Sequence, residues 1–345
     1  MAIMAIDKNP GGILSMVYIS AESLSGLAKK VNLLIPENSK NYFILKKKFK
    51  NNSKITIHKI AKLDKFLFRL GIMTSRIKVV LKDSDLIFLH NPILSKIISK
   101  FFSNKNIFLF FHTDKIKHIK YFDYVDKVFS VNKKITKFIN NYYSVQNKAY
   151  YLPNCLEKKI TSKEYIKSNV RKNKKKIVVG AMGRLVDKKG FYYLIDAIKE
   201  LPDTQLLIAG DGPYYEKLKD KIKDISNIEL LGWISNKEDF FKKIDIFCLS
   251  STFEPFGIVL IEAMARGIPV VSTKCYGPLD IIKNNHNGLL VKKASAQELL
   301  NGIKELKGNY MLRKKFSKNS LLTIKNNYTI ETYKKNIKII LNGLY

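Results

Sequence analysis

Cysteine is scarce and acidic side chains are few. Three cysteines occur in 345 residues, and Asp plus Glu number 29 against 62 Lys plus Arg. Cys155, Cys248 and Cys275 are odd in number and have no paired spacing for a metal or redox site. The simplest reading is three small apolar side chains in a reducing cytoplasm. No apolar run approaches the ~20 residues that a membrane span needs, and the strongest, Ile107 to Phe111, is only strand length. The opening MAIMAIDKNPGG has neither a charged leader nor a long apolar core, so no signal peptide is expected. Phosphate-loop and nucleophile-elbow patterns are missing. So are helix-turn-helix, zinc and RNP-type patterns.

What is present is enough apolar residue, 46% of the chain, to fill two α/β cores. The net charge is +33, with +18 in residues 1–155 and +15 in the longer remainder. Abundant Lys, Asn and Ile together are what a codon-biased, AT-rich genome produces. Whatever its origin, the charge acts on an anionic surface, so a membrane face is an expected partner and nucleic acid is not. Lys46, Lys47, Lys48, Lys50, Lys54, Lys59 and Lys62 are interleaved with Phe43, Phe49, Phe66, Leu67 and Phe68. Residues 43–70 are therefore expected to dock peripherally on an anionic bilayer.

Short apolar runs alternate with amphipathic ones. Strands are expected at Asp85–His90, Asn106–His112, Lys127–Val131 and Tyr150–Pro153, with helices between them. Asn41–Lys48 reads as a strand, and the order of elements across 13–60 is left open. A charged linker, 161–176, separates residues 1–160 from a second alternation over 177–328. Strands there fall at Lys176–Gly180, Gln205–Ala209, Ile228–Leu231, Ile244–Leu249, Ile268–Ser272 and Gly288–Val291. Residues 329–345 form a terminal helix expected to pack back on the first domain. Strand–helix alternation of this kind gives parallel, doubly wound α/β sheets.

The chemistry concentrates in Ser250-Ser-Thr-Phe-Glu254-Pro-Phe-Gly-Ile-Val-Leu-Ile-Glu262. The helix expected after Pro255, over Phe256–Arg266, is apolar nearly all round and should be buried, which makes Glu262 costly without a partner. Its start offers the amides of Phe256, Gly257 and Ile258 and the positive end of a dipole, which suits a diphosphate. A carboxylate slightly deeper suits ribose hydroxyls. Taken singly, Glu254 reads equally as a first-turn acid and Glu262 as a salt-bridged core residue. Asp83-Ser-Asp85 precedes a strand and reads as a surface turn, so no metal is implied.

Together the two acids form Glu-x7-Glu, which resembles the signature of family 4 retaining glycosyltransferases. Gly183-Arg184 with Lys189-Gly190 resembles that family's loop whose Arg and Lys hold the donor diphosphate. Ile208–Pro213, Leu231-Gly-Trp233 and Asn287–Val291 resemble further stretches of the same domain. Gly11-Gly12 resembles a glycine pair near the donor phosphates. Phe111-His112-Thr113 resembles the strand-end histidine that meets the donor sugar, and Tyr151–Asn154 the entry to the hinge. His90 occupies the analogous place after the preceding strand and ranks below His112. Residues 13–80 match nothing recognisable.

The resemblance implies a GT-B-like α/β fold, two Rossmann-like domains facing each other across a cleft. It implies transfer of a hexose or N-acetylhexosamine from a UDP- or GDP-sugar to a glycan or glycolipid hydroxyl, in cell-envelope synthesis, without metal or other cofactor. Arg184, Lys189, Glu254 and His112 would act at the reacting centre. Gly12, Gly183, Arg184, Lys189, Phe256, Gly257, Ile258 and Glu262 would bind the donor. The expected place is the cytoplasm, peripheral on the inner membrane face. Three competing readings are a nucleotide-sugar epimerase or hydrolase, a binding protein without turnover, and a basic nucleic-acid binder. The first would need its own acid/base carboxylates, which no motif supplies.

Overall fold

The structure is a computed structural model, and it describes residues 1–7, 11–113, 115–143, 148–157 and 176–343. Nearly all of the expected linker, 161–176, lies outside the described residues. The chain divides into two compact units. One comprises Met1–Glu157 with Ile330–Tyr345, and the other Lys158–Thr329.

In the first unit seven strands form a parallel sheet: β1 (Ala2–Met4), β2 (Val31–Pro36), β3 (Ile55–Ile60), β4 (Leu86–Leu89), β5 (Asn106–Phe111), β6 (Lys127–Ser130) and β7 (Ala149–Tyr151). Their order is β3-β2-β1-β4-β5-β6-β7. The second unit repeats the plan with β8 (Ile177–Met182), β9 (Thr204–Ala209), β10 (Ile228–Gly232), β11 (Ile246–Leu249), β12 (Val270–Thr273) and β13 (Leu289–Val291). Its order, β10-β9-β8-β11-β12-β13, has the same reversal after the first strand. Both are doubly wound Rossmann-like sheets, and each has a switch point where ligands bind in such folds: between β1 and β4, and between β8 and β11.

The strands are continuous apolar runs because helices cover both faces. All four residues of β4 and of β11 are buried. Side chains two apart share a face, so Phe88, Phe108, Phe110 and Phe129 stack along one side of β4–β6, with centroids 5.2–6.4 Å apart. Phe68, Ile77, Leu89, Leu109 and Phe111 fill the other side.

Residues 40–48 form a helix, Lys40–Lys48, where a strand was expected. The Ser39 hydroxyl caps it by accepting from the Tyr42 amide at 3.1 Å, and Lys46, Lys47 and Lys48 in its last turn favour the negative dipole end. Tyr42, Leu45 and Phe49 are its buried stripe, at spacings of three and four.

The 43–70 segment also departs from expectation. Phe49 and Phe68 are core residues, while Phe43 and Phe66 are exposed. Phe49 stacks on Tyr18 of the Gly12–Ser25 helix, 5.0 Å between centroids, whereas Phe68 packs with Met4, Leu34 and Leu89. The chain steps one way from β1 to β3 and back to β4, so right-handed crossovers put these two helices on opposite faces. The segment is therefore two surfaces.

The last helix, Ile330–Asn342, belongs to the first unit. It packs on the Gly12–Ser25 helix, with Lys334 Nζ 3.7 Å from Glu22. Tyr333 is buried beside Cys155, and burial raises both their pKa values. All three cysteines are buried and reduced. Among the described residues no helix is long and apolar enough to cross a membrane.

Candidate functional site

At the second unit's switch point the loops leaving β8 and β11 are knitted together. Asp187–Lys189 makes a single 3-10 turn that ends on Gly190, whose φ is 63°. The Ser250 hydroxyl donates to the Lys189 carbonyl at 2.9 Å, and the Thr252 amide donates to the Lys188 carbonyl at 2.9 Å. Across this seam Lys189 Nζ meets Glu254 Oε2 at 2.5 Å, and the Ser251 hydroxyl lies 3.4 Å from the same oxygen.

Both charges are largely withdrawn from water, with side chains 17% and 10% exposed. Burying either charge alone is costly, so the pairing offsets the burial of both. Gly183 completes the corner, since a Cβ on it would lie 3.5 Å from Lys189 Cε. Arg184 is exposed beside it in the chain.

The Glu254 loop is held from β12 as well. Thr273 Oγ1 donates to the Ser251 carbonyl at 2.5 Å, and the Gly277 amide to the Glu254 carbonyl at 3.1 Å. The following helix is Ile258–Met264, shorter at both ends than the expected Phe256–Arg266. Gly257 is its N-cap and its first i→i−4 bond is Ile261 to Gly257, so the amides of Phe256, Gly257 and Ile258 stand ahead of that bond.

Glu262 is half-buried, not fully buried as its apolar helix suggested. It is held by Lys237 Nζ at 2.7 and 2.9 Å. Lys237 opens the helix after β10, Lys237–Lys243. Arg266, one turn beyond Glu262, bonds the neighbouring Glu238 and the Glu262 carbonyl. Lys237 carries no sequence signal in so lysine-rich a chain.

In the first unit the switch point is polar where the sheet below is aromatic. His90 and His112 follow β4 and β5 and continue the Phe88/Phe110 face, their rings edge to edge and within 14° of parallel, with centroids 5.1 Å apart. His90 Nδ1 lies 2.9 Å from His112 Nε2, and His90 Nε2 lies 3.0 Å from the Ser20 hydroxyl of the Gly12–Ser25 helix. His112 Nδ1 is buried with no partner among the described residues. Burial pushes the His112 pKa down to about 4 and that of His90 well below its ordinary value, so both rings are neutral at pH 7.

Asn91, unsuspected in the sequence, orders the loop after β1. It accepts from the Ile6 amide at 2.8 Å and donates to Asp7 at 3.0 Å. Gly12 begins its helix exposed, just beyond this loop. The structure thus gathers Gly183, Lys189, Glu254 and the Phe256–Ile258 amides in one place and Glu262 with Lys237 in a second cluster. It joins His112 through His90 to the helix that Gly12 opens.

Residues 162–322 match the model of the family "Glycosyl transferases group 1". This chain is 32% identical over 157 residues to the lipopolysaccharide core biosynthesis glycosyltransferase LpsE of Rhizobium meliloti, covering 45% of this chain and 46% of that protein. It is 26% identical over 228 residues to the poly(glycerol-phosphate) alpha-glucosyltransferase of Bacillus subtilis, covering 64% and 33%. The chain spans about half the length of the first of these relatives. Two solved structures share the fold over nearly the whole chain. Anabaena Alr3699/HepE, in complex with UDP and glucose, has a TM-score of 0.81 at 17% identity, covering 99% of this chain and 98% of that one. The lipopolysaccharide outer core galactosyltransferase WaaB has 0.78 at 20% identity, covering 100% of both. The shared fold is α/β and GT-B-like, with two Rossmann-like units.

Proposed function

We propose that this chain is a retaining glycosyltransferase that moves a hexose or N-acetylhexosamine from a nucleoside-diphosphate sugar to an acceptor hydroxyl. The observation that carries this reading is the Lys189–Glu254 pair at the switch point between β8 and β11, with Arg184 on the same loop. As the sugar–phosphate bond breaks, the departing diphosphate gains negative charge. Lys189, Arg184 and the amides of Phe256–Ile258 oppose that charge, stabilising the transition state more than the ground state. Glu254, anchored by Lys189, faces the sugar. Glu262 holds the ribose in place of its present bond to Lys237, and Gly12 and His112 serve the phosphates and sugar. The leaving phosphate takes the acceptor proton on the face it vacates, so configuration is retained without a protein nucleophile or metal. That the similar Anabaena protein was crystallised with UDP and glucose supports a UDP-sugar donor, and the similar lipopolysaccharide transferases support a cell-envelope glycan or glycolipid acceptor.

A panel of nucleotide sugars screened for thermal stabilisation identifies the donor, since ligand at 100 times its Kd adds about 2.7 kcal/mol. Glu262→Ala is then expected to weaken the donor and its free nucleoside diphosphate alike, by roughly 10- to 150-fold, the worth of a charge-assisted hydrogen bond. Unchanged affinity in the folded variant removes the ribose assignment. Stabilisation by no member of the panel removes the transferase reading itself.

The reading includes docking on an anionic bilayer, as a lipid-linked acceptor requires. The Lys62–Arg69 helix exposes Leu63, Phe66 and Leu70, at 62%, 57% and 59%, flanked by exposed Lys62 and Arg69. Its one acid, Asp64, is buried and paired with Arg76 at 2.6 Å. An apolar stripe inside a basic rim complements anionic headgroups, each Lys or Arg contributing about 1 kcal/mol. Anionic vesicles at low salt should sediment the protein, while neutral vesicles, high salt or Phe66→Ser should release it. Equal partitioning to both vesicle types, or to neither, rules docking out.

A further inference from the structure

We propose that Ser20 and His90 are positioning residues that hold the proton of the His112 ring on Nε2, so that Nδ1 can only accept a hydrogen bond. If His112 meets the donor sugar, as the reading above has it, its partner is then a sugar hydroxyl hydrogen. Protons can be counted along one line of atoms from Ser20 to His112. The Ser20 hydroxyl has one hydrogen and two acceptors within reach, the Val17 carbonyl at 3.1 Å and His90 Nε2 at 3.0 Å. Each neutral imidazole carries one N–H and one bare nitrogen. Because His90 Nδ1 and His112 Nε2 are 2.9 Å apart, one of them carries hydrogen and the other does not. Two arrangements satisfy these constraints.

In the first, Ser20 donates to Val17, His90 Nε2–H donates to Ser20, and His112 Nε2–H donates to His90 Nδ1. Three hydrogen bonds form and the atom left over is an acceptor, His112 Nδ1. In the second, Ser20 donates to His90 Nε2 and His90 Nδ1–H donates to His112 Nε2. Two hydrogen bonds form, and a buried N–H is left on His112 Nδ1, which meets no acceptor among the described residues. A buried orphan N–H is rarer and costlier than an under-used acceptor. The lost bond alone disfavours the second arrangement by roughly 2- to 13-fold. Burial keeps both rings neutral, so a doubly protonated ring does not blur the choice. His90 also packs against Phe110, with 4.7 Å between centroids and the rings tilted by 30°, which restrains the His90 ring.

Long-range proton–nitrogen spectra of the 15N-labelled, ligand-free protein at pH 7 read the tautomers directly. The rings are assigned by their loss in His90→Phe and His112→Phe. Both are expected as Nε2–H, and Ser20→Ala should raise the Nδ1–H fraction of His112 by roughly 2- to 13-fold. Nδ1–H in the two wild-type rings, an imidazolium in either, or a His112 tautomer that ignores Ser20→Ala overturns the proposal. The wild-type spectrum decides the tautomer even if Ser20→Ala does not fold. No donor is added, so a failure here is separate from failure of the transferase reading, which the nucleotide-sugar panel detects.

Discussion

Lys189→Ala is expected to lower turnover with a nucleoside-diphosphate sugar by about 10²–10³-fold, while binding of the bare nucleoside barely changes. The loss is that of a fixed cation facing charge that appears only as the diphosphate leaves. A second effect comes with it. Glu254 is buried, and removing Lys189 leaves its carboxylate unpaired, a cost of about 3–5 kcal/mol in stability. The two effects separate in the double variant Lys189→Met/Glu254→Gln, which removes both charges and should recover most of the stability but none of the turnover. Arg184→Ala separates them from the other side. Its side chain is exposed, so the same order of rate loss is expected with little change in unfolding free energy. Rates from single-turnover assays and unfolding curves from urea titration give both quantities. Near-normal turnover in both Lys189→Ala and Arg184→Ala is incompatible with the phosphate role.

How legible each part was follows from how its residues are buried. β4, β5, β6, β8, β9, β11 and β12 lie inside sheets covered on both faces, so they stand in the sequence as apolar runs bounded by polar ends. The first sixty residues hide the same plan. β1 has only three residues, and the Lys40–Lys48 helix carries its buried Tyr42, Leu45 and Phe49 among lysines that mask the spacing. That spacing was the available signal for a helix. Glu254 and Lys189 could be named from local patterns, but their contact spans 65 residues and follows from β8 and β11 being neighbours, which is a property of the strand order. The same holds for Lys237 with Glu262 and for Ser20 with His90. His90 ranked below His112 as a solitary residue, although the pleat puts the two rings on one face at the ends of neighbouring strands.

Gly190→Ala is expected to cost about 2–5 kcal/mol in stability, and the source of that cost can be measured. One part is conformational, because φ is 63° at this position and an L-residue pays roughly 1–2 kcal/mol there. The other is steric. A Cβ at Gly190 would lie 2.2 Å from the Ser250 carbonyl oxygen and 3.1 Å from its carbon, so the seam between the two loops must open, at about 1–3 kcal/mol. Gly232 isolates the first part. Its φ is 64°, the same within a degree, yet an added Cβ there meets nothing within 4 Å. Gly232→Ala should therefore lose only the conformational share, and the difference between the two variants, read from urea midpoints at constant m, is the steric share. Opening the seam also moves Lys189, whose carbonyl takes the Ser250 hydroxyl and whose ammonium grips Glu254. Gly190→Ala should thus lose turnover even below its unfolding transition, and Gly232→Ala should keep it. Equal destabilisation of the two variants, or full turnover in folded Gly190→Ala, means the close approach of the two loops does not set the geometry of the Lys189–Glu254 pair.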